Sequence, residues 1–415
     1  MNHAHNITRR QWIGTTAAGL FIPAPLKLSA APPAVGETAH FWYRLARDGP
    51  YIDSQRGNKA FGFREGKIFL SEDNGKTWPH SAEFAEAENI TFSCLLKNGN
   101  VLFATREKLF LSTDNLKTHR EVIVKDAAGR DYLPHTPVNP AEPGWYFHPL
   151  DGEHRWDVGG KEMLVWGNYC NVIGGAVPVN IYYSTDSGET VKLAYSFGQN
   201  PDFQQKGATT LLGDASNPLI CRHVHSVAYN PAENAFYACT GDIDRGQGPE
   251  CHWLRGTYDA KADSWQWKVL ISVNSDSRHK SGGVNFVDGK VYWASDANGP
   301  KRGEKHDRGI FTCAPADIAN SAAHTLLFNP DYECANMIIK DGVILAAHYA
   351  PASPYVTGFI YSPDMGKTWA QHDLPGFGPR SGTRFHKKNS DGWFRVDLRK
   401  GWIDRGEVLF IKPKR

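Results

Sequence analysis

The string Ser-x-Asp-x-Gly-x-Thr-Trp occurs twice in this chain almost unaltered, at residues 71–78 and 362–369. A third copy at 184–190 lacks only the final Trp, whose place Val191 takes. A fourth at 112–118 has Leu116 where the others have Gly. Short apolar runs lead into all four: Ile68-Phe69-Leu70, Leu109-Phe110-Leu111, Ile181-Tyr182-Tyr183 and Phe359-Ile360-Tyr361. A unit repeated like this is one supersecondary element used several times, which commits the chain to a repeat architecture. Within the unit the Asp side chain can accept hydrogen bonds from turn N–H groups, and the Gly supplies a positive φ. Asp73, Asp114, Asp186 and Asp364 are therefore expected to be turn residues, not catalytic carboxylates.

Each copy resembles the Asp box of sialidase-type β-propellers. The resemblance implies an all-β propeller of six or seven blades, seven favoured, with four-stranded antiparallel blades and Asp-box turns between third and fourth strands. The spacing is compatible. The first two copies start 41 residues apart, the length of one four-stranded blade, and the next gap of 72 allows a blade plus an insertion at about 129–156. Two blades without boxes can be traced between Ser184 and Ser362. One runs through 226–229, 235–238, 252–254 and 265–268, the other through 283–286, 290–293, 309–311 and 325–327. Asn98-Gly99, Asp288-Gly289 and Asp341-Gly342 read as two-residue hairpin turns. The last blade should combine C-terminal strands (393–396 and 407–410) with material near residues 40–51, which closes the ring without a free edge.

Residues 1–31 are expected to be a targeting segment. Thr8-Arg9-Arg10-Gln11-Trp12-Ile13 resembles a twin-arginine export signal, and Ser29-Ala30-Ala31 offers a cleavage region. Residues 32–415 then form a single propeller domain, periplasmic or secreted and expected to be a monomer. With 46 basic and 44 acidic residues the net charge is only +2, so neither nucleic acid nor a membrane is an expected partner. Seven cysteines without a CxxC pair write no disulfide framework, although Cys239 and Cys251 could join after export.

If the boxes lie on one face, the opposite face is built from the starts of first strands and the loops between second and third strands. That filter selects Asn168, Tyr169, Arg222, His223, His225, Asp242, Asp244, Arg245, Arg278, His279, Lys280, Asp296, His348 and Tyr349. His223 and His225, two apart on a strand, project the same way. They admit a divalent metal site completed by Asp242, Cys221 or His279. They also admit acid/base chemistry, or plain packing at the channel mouth. Arg222 should point away from the pair, with Arg245 arriving from the next loop. Arg278 and Lys280 add positive charge, and Tyr169, Tyr349 and Tyr355 could stack on sugar rings.

The sialidase signature itself is weak, because Tyr43-Arg44-Leu45-Ala46 lacks the expected Pro and no Tyr–Glu pair can be placed. The face is more similar to that of the propeller polysaccharide lyases of the ulvan-lyase type. The expected function is therefore β-elimination on an acidic, uronate-containing polysaccharide or oligosaccharide. His223, His225, Arg222, Arg245, His279 and Tyr349 are its catalytic candidates, and Tyr169, Asn168, Lys280, Arg278 and His348 its substrate contacts. A glycoside hydrolase using Asp242, Asp244 or Asp296 and a non-catalytic glycan- or protein-binding propeller remain the alternatives. No cofactor is assigned with certainty, but a structural or catalytic divalent metal at His225 and Asp242 is admitted.

Overall fold

The computed structural model describes residues 35–46, 49–132, 146–150, 152–169, 178–199, 213–242, 244, 248–275, 277–296, 308–330, 334, 336–347, 358–373, 381–399 and 405–414. These form seven antiparallel sheets in sequence order, a seven-bladed β-propeller with only three single-turn 3₁₀ segments. Blades 1 to 6 are the four-stranded sheets at 51–83, 92–122, 155–196, 223–273, 281–328 and 337–373. Blade 7 takes its three inner strands from Ser381–His386, Phe394–Arg399 and Arg405–Pro413. Its next strand comes from the N-terminal side, Phe41–Ala46, and Val35–Glu37 adds a fifth at the rim. The last blade is thus completed by both ends of the chain, which closes the ring. No helix among the described residues is long and apolar enough to cross a membrane.

Strand formation follows the apolar runs. Leu109–Ser112 and Asn180–Ser184 each carry the lead-in to a repeated turn, and their side chains are almost wholly buried between blades. The largest fully buried side chains include Trp166, Trp253 and Trp293, which supply bulk where neighbouring sheets splay apart. Asp288-Gly289 and Asp341-Gly342 adopt positive φ at both positions and join strands paired at Val287–Lys290 and Lys340–Val343. Asn98-Gly99 differs. Leu96 N donates to Asn100 O and Gly99 N donates to Leu96 O, so this turn is wider than two residues.

All four repeated turns connect third to fourth strands. In blade 1, Asp73 Oδ1 accepts from the N–H groups of Lys76 and Thr77 at 3.1 and 2.8 Å, and Thr77 Oγ1 donates to Oδ2 at 2.7 Å. Ser71 Oγ donates to the same carboxylate and accepts from Gly75 N. Asp114, Asp186 and Asp364 repeat this pattern with Thr118, Thr190 and Thr368. Backbone φ is positive at the fourth and fifth positions of every copy, and Leu116 accepts +67° where the other three place Gly. Asp364→Ala should therefore lower stability by about 1 kcal/mol, the low end for a lost acceptor because the carboxylate is partly exposed. Any turnover per folded molecule should stay unchanged. Denaturant unfolding run beside an activity assay checks both.

The insertion between blades 2 and 3 reaches across the ring. Its described part, residues 146–150, ties four blades together. Tyr146 N donates to Arg106 O of blade 2, and Tyr169 N of blade 3 donates to His148 O. Asn336, just before the first strand of blade 6, donates to Leu150 O, and Arg384 of blade 7 donates to Pro149 O. His148 and His154 are consumed as buried packing residues. His135, Pro140 and Trp145 lie outside the described residues.

Candidate functional site

His223 opens the first strand of blade 4, His223–Asn230, and pairs with Gly241, the last residue of the adjacent strand. Asp242 therefore follows directly beside the imidazoles. Its φ of +94° is unusual for a side-chain-bearing residue, and it brings the carboxylate within 2.8 Å of His223 Nε2 and 3.3 Å of His225 Nε2. Lys280 Nζ stands 3.3 Å from Asp242 Oδ1, and Arg222 Nη1 stands 3.4 Å from Oδ2. Gly241 lets the lysine pass, since a Cβ there would meet Lys280 Cγ at 2.7 Å. On the far side of His225, Asp296 Oδ2 lies 3.6 Å from Nδ1. Tyr169 stacks on His223 with ring centroids 3.8 Å apart.

The cluster is nearly dry. The imidazole side chains are fully buried and Asp242 is 16% exposed, so the carboxylate is the part nearest solvent. Burial works against the Asp242 charge, yet the two imidazoles hold its carboxyl well below the ordinary range. Burial pushes His225 below its usual value despite Asp242. Burial and the Asp242 charge together raise Asp296, against the pull of Lys280. The centre therefore brings one carboxylate, two imidazoles, a lysine and an arginine within a few ångströms.

The residues selected by topology separate into two groups. His223, His225, Asp242, Lys280 and Arg222 converge. Arg222 does not turn away from the pair as expected. It precedes the strand, where strict alternation does not yet hold, and a register shift follows between Val224 and Ser226. The others serve the scaffold. Asn168 is buried, donates to Pro178 O and accepts from Asn180 N, so it does not face a substrate. Tyr169 is only 3% exposed, which removes it as a sugar-stacking platform and makes it the wall behind His223. His279 turns toward Ile318 O and packs with Trp253, Trp293 and His324, away from the catalytic role foreseen for it. Arg278 lies over the Phe311 ring and reaches Ser321 O, not a ligand site. Asp244 accepts from Glu250 N and Ser275 N, which makes it a loop brace. Cys239 and Cys251 are buried and not joined in a disulfide. Arg245, His348, Tyr349 and Tyr355 lie outside the described residues.

A second buried polar cluster sits in blade 7. His386 Nε2 lies 3.2 Å from Asp397 Oδ2, and Arg395 Nε lies 3.2 Å from Asp397 Oδ1, with Arg395 and Asp397 wholly buried. Arg395 also donates to Asp53 O of blade 1. The signal for this cluster was present in Arg384-Phe385-His386 and Arg395-Val396-Asp397, which repeat the same-side spacing of His223 and His225. A cavity of about 340 Å³ opens nearby, lined by Gln55, Arg56, Arg155, Glu162, His386 and Lys388 among others. It does not touch the His223–His225 centre, and Arg56 and Lys388 are already paired with Glu162 and Asp341.

No protein-family model matches the chain, and no curated protein matches its sequence. Solved structures do resemble it. The extracellular domain of a protein described as a hybrid two-component system from B. thetaiotaomicron is 14% identical, with a TM-score of 0.48 over 88% of this chain, which spans 39% of that domain's chain. A Penicillium chrysogenum alpha-L-arabinanase complexed with arabinobiose is 12% identical at a TM-score of 0.41, covering 78% of this chain and 93% of its own. The β-propeller domain of a Myceliophthora thermophila protein, Cps50 (Swd1), is 11% identical at 0.46, covering 92% and 99%. Likeness at this level concerns fold and leaves the chemistry to the residues.

Proposed function

We propose that the chain is an exported carbohydrate-active propeller that cleaves an acidic, uronate-containing glycan by β-elimination at the His223–His225–Asp242 centre. The observation that carries this is the convergence of Arg222, Lys280 and two imidazoles on one partly exposed carboxylate. Elimination requires that a uronate carboxylate be neutralised so that the C5 proton becomes acidic. Arg222, the more exposed of the two cations at Asp242, would take that task, with the buried Lys280 adding its charge from behind. The C5 proton passes to a nitrogen base, the C5–H electron pair becomes the C4=C5 double bond, and the C4–O bond breaks with protonation of the departing oxygen. Hydrolysis is less well served: Asp244 is consumed by its loop, and Asp242 and Asp296 both face the imidazole of His225 instead of flanking open space.

The test is a panel of acidic polysaccharides followed at about 235 nm, where an unsaturated uronate absorbs, beside a reducing-end assay. Absorbance gain in step with new reducing ends is the expected result. Reducing ends without absorbance would mean hydrolysis, and binding without either would leave a glycan-binding module. A mature chain found wholly in the cytoplasm on cell fractionation would remove export from the proposal.

A further inference from the structure

We propose that His223 Nε2, His225 Nε2 and the Asp242 carboxylate form a divalent transition-metal site, with Asp296 orienting His225 from behind. This deepens the proposal above by naming what the same centre binds, and it rests on that centre being the functional one.

The geometry of His225 carries the inference. Its ring has a carboxylate oxygen at each nitrogen: Asp296 Oδ2 at 3.6 Å from Nδ1 and Asp242 Oδ1 at 3.3 Å from Nε2. With its proton on Nδ1 toward Asp296, the imidazole aims the Nε2 lone pair at the Asp242 oxygen, an arrangement that a cation between the two satisfies. Neither nitrogen makes a hydrogen bond of good geometry to these oxygens, and the residue is 1% exposed. An unsatisfied buried nitrogen of this kind is costly, and a cation between Nε2 and the Asp242 oxygen relieves it. Nδ1–H then points at Asp296, the arrangement in which a metal-bound histidine donates its second nitrogen to a carboxylate.

The donors match such an ion in number and kind. All three ligand atoms lie within 4.8 Å of one another, and the 2.8 Å and 3.3 Å separations from Asp242 need only slight opening to seat an ion at roughly 2.0–2.2 Å from each. Two imidazoles and one carboxylate select zinc, manganese or a similar first-row ion over calcium or magnesium, which prefer all-oxygen shells. Two ligands come from one strand and the third from the residue directly after its neighbour. Three protein ligands leave a coordination position open, and Asp242, the most exposed of the three, marks where it faces. A glycan carboxylate can occupy that position. The imidazoles then act as ligands in place of the nitrogen base named above.

The experiment uses the full mature chain with any affinity tag removed. The protein is stripped with a chelator, dialysed, and titrated calorimetrically with zinc and then manganese. Metal content of the untreated protein is read by mass spectrometry. One equivalent of tightly bound ion is expected, with a rise in melting temperature on reloading. His223→Ala, His225→Ala and Asp242→Asn should each weaken binding by at least 10-fold, the scale seen even for losing an orienting partner. His279→Ala, which alters a buried histidine outside the cluster, should bind as the wild type does. A folded wild-type chain that takes up no stoichiometric ion overturns the site without recourse to any variant. So does binding that survives all three ligand substitutions. Because uptake is read apart from turnover, an ion bound by a chain inactive on every glycan would retire the lyase and keep the metal. Activity without metal would do the reverse.

Discussion

His225→Ala should lower turnover on the responsive polysaccharide by roughly 10²-fold or more, the usual scale for losing a group engaged in proton transfer or in holding the reacting charge. The side chain is fully buried between Asp242 and Asp296, so stability should fall as well, by about 1–3 kcal/mol for a cavity and broken polar contacts. Activity must therefore be normalised to folded protein, at a temperature well below the variant's melting point. His279→Ala is the matching control. It is just as buried, but it packs on Trp253 and Trp293 with Nε2 toward Ile318 O. That variant should lose stability and keep its turnover per folded molecule. Equal turnover in both variants would reduce the His223–His225 pair to packing and move the chemistry elsewhere on the face. Loss in the first alone, together with loss of bound ion, would identify the pair as ligands.

Much of the scaffold was legible because propeller strands announce themselves locally. The apolar lead-ins, the Asp-Gly hairpins and the repeated Asp turns are short-range features, and the two boxless blades at 223–273 and 281–328 fell within a few residues of their traced strands. The same-side rule placed His223 and His225 together because both lie within one strand. It failed for Arg222, which precedes that strand. Contacts across blades were harder to see. Asp296 meets His225 from blade 5, and Tyr169 meets His223 from blade 3, pairings that depend on how sheets twist around the axis. Burial was misjudged for a similar reason. Tyr169 and Asn168 sit at the end of a second strand, where topology suggests exposure, yet Tyr169 N is held by His148 O of the insertion. A long-range strap of that kind leaves no local mark in the sequence.

Arg395→Leu should be the most damaging single change to stability, and it acts far from the proposed centre. Arg395 and Asp397 are both fully buried, on the middle strand of the C-terminal trio, and Arg395 reaches across to Asp53 O of blade 1. The pair therefore latches the seam between the last blade and the first, where closure of the ring depends on both ends of the chain. Removing the guanidinium leaves the Asp397 charge buried, which typically costs about 3–5 kcal/mol. The pH dependence identifies the cause. Burial opposes the Asp397 charge, but Arg395 and then His386 hold its carboxyl far below the ordinary value. A depressed folded-state value contributes stability above the unfolded-state value of about 3.9, and that contribution fades as pH falls toward the folded value. Without Arg395 the buried carboxyl binds a proton readily. The gap between wild type and variant should thus be widest near pH 7 and shrink as the pH approaches 4. Urea unfolding at both pH values measures it. Arg395→Leu combined with Asp397→Leu should recover much of the loss, since a buried ion pair replaced by apolar side chains is often nearly neutral. A gap that stays constant with pH, or a double variant no better than the single, would show that Arg395 acts through packing and its bond to Asp53 instead of through the charge of Asp397.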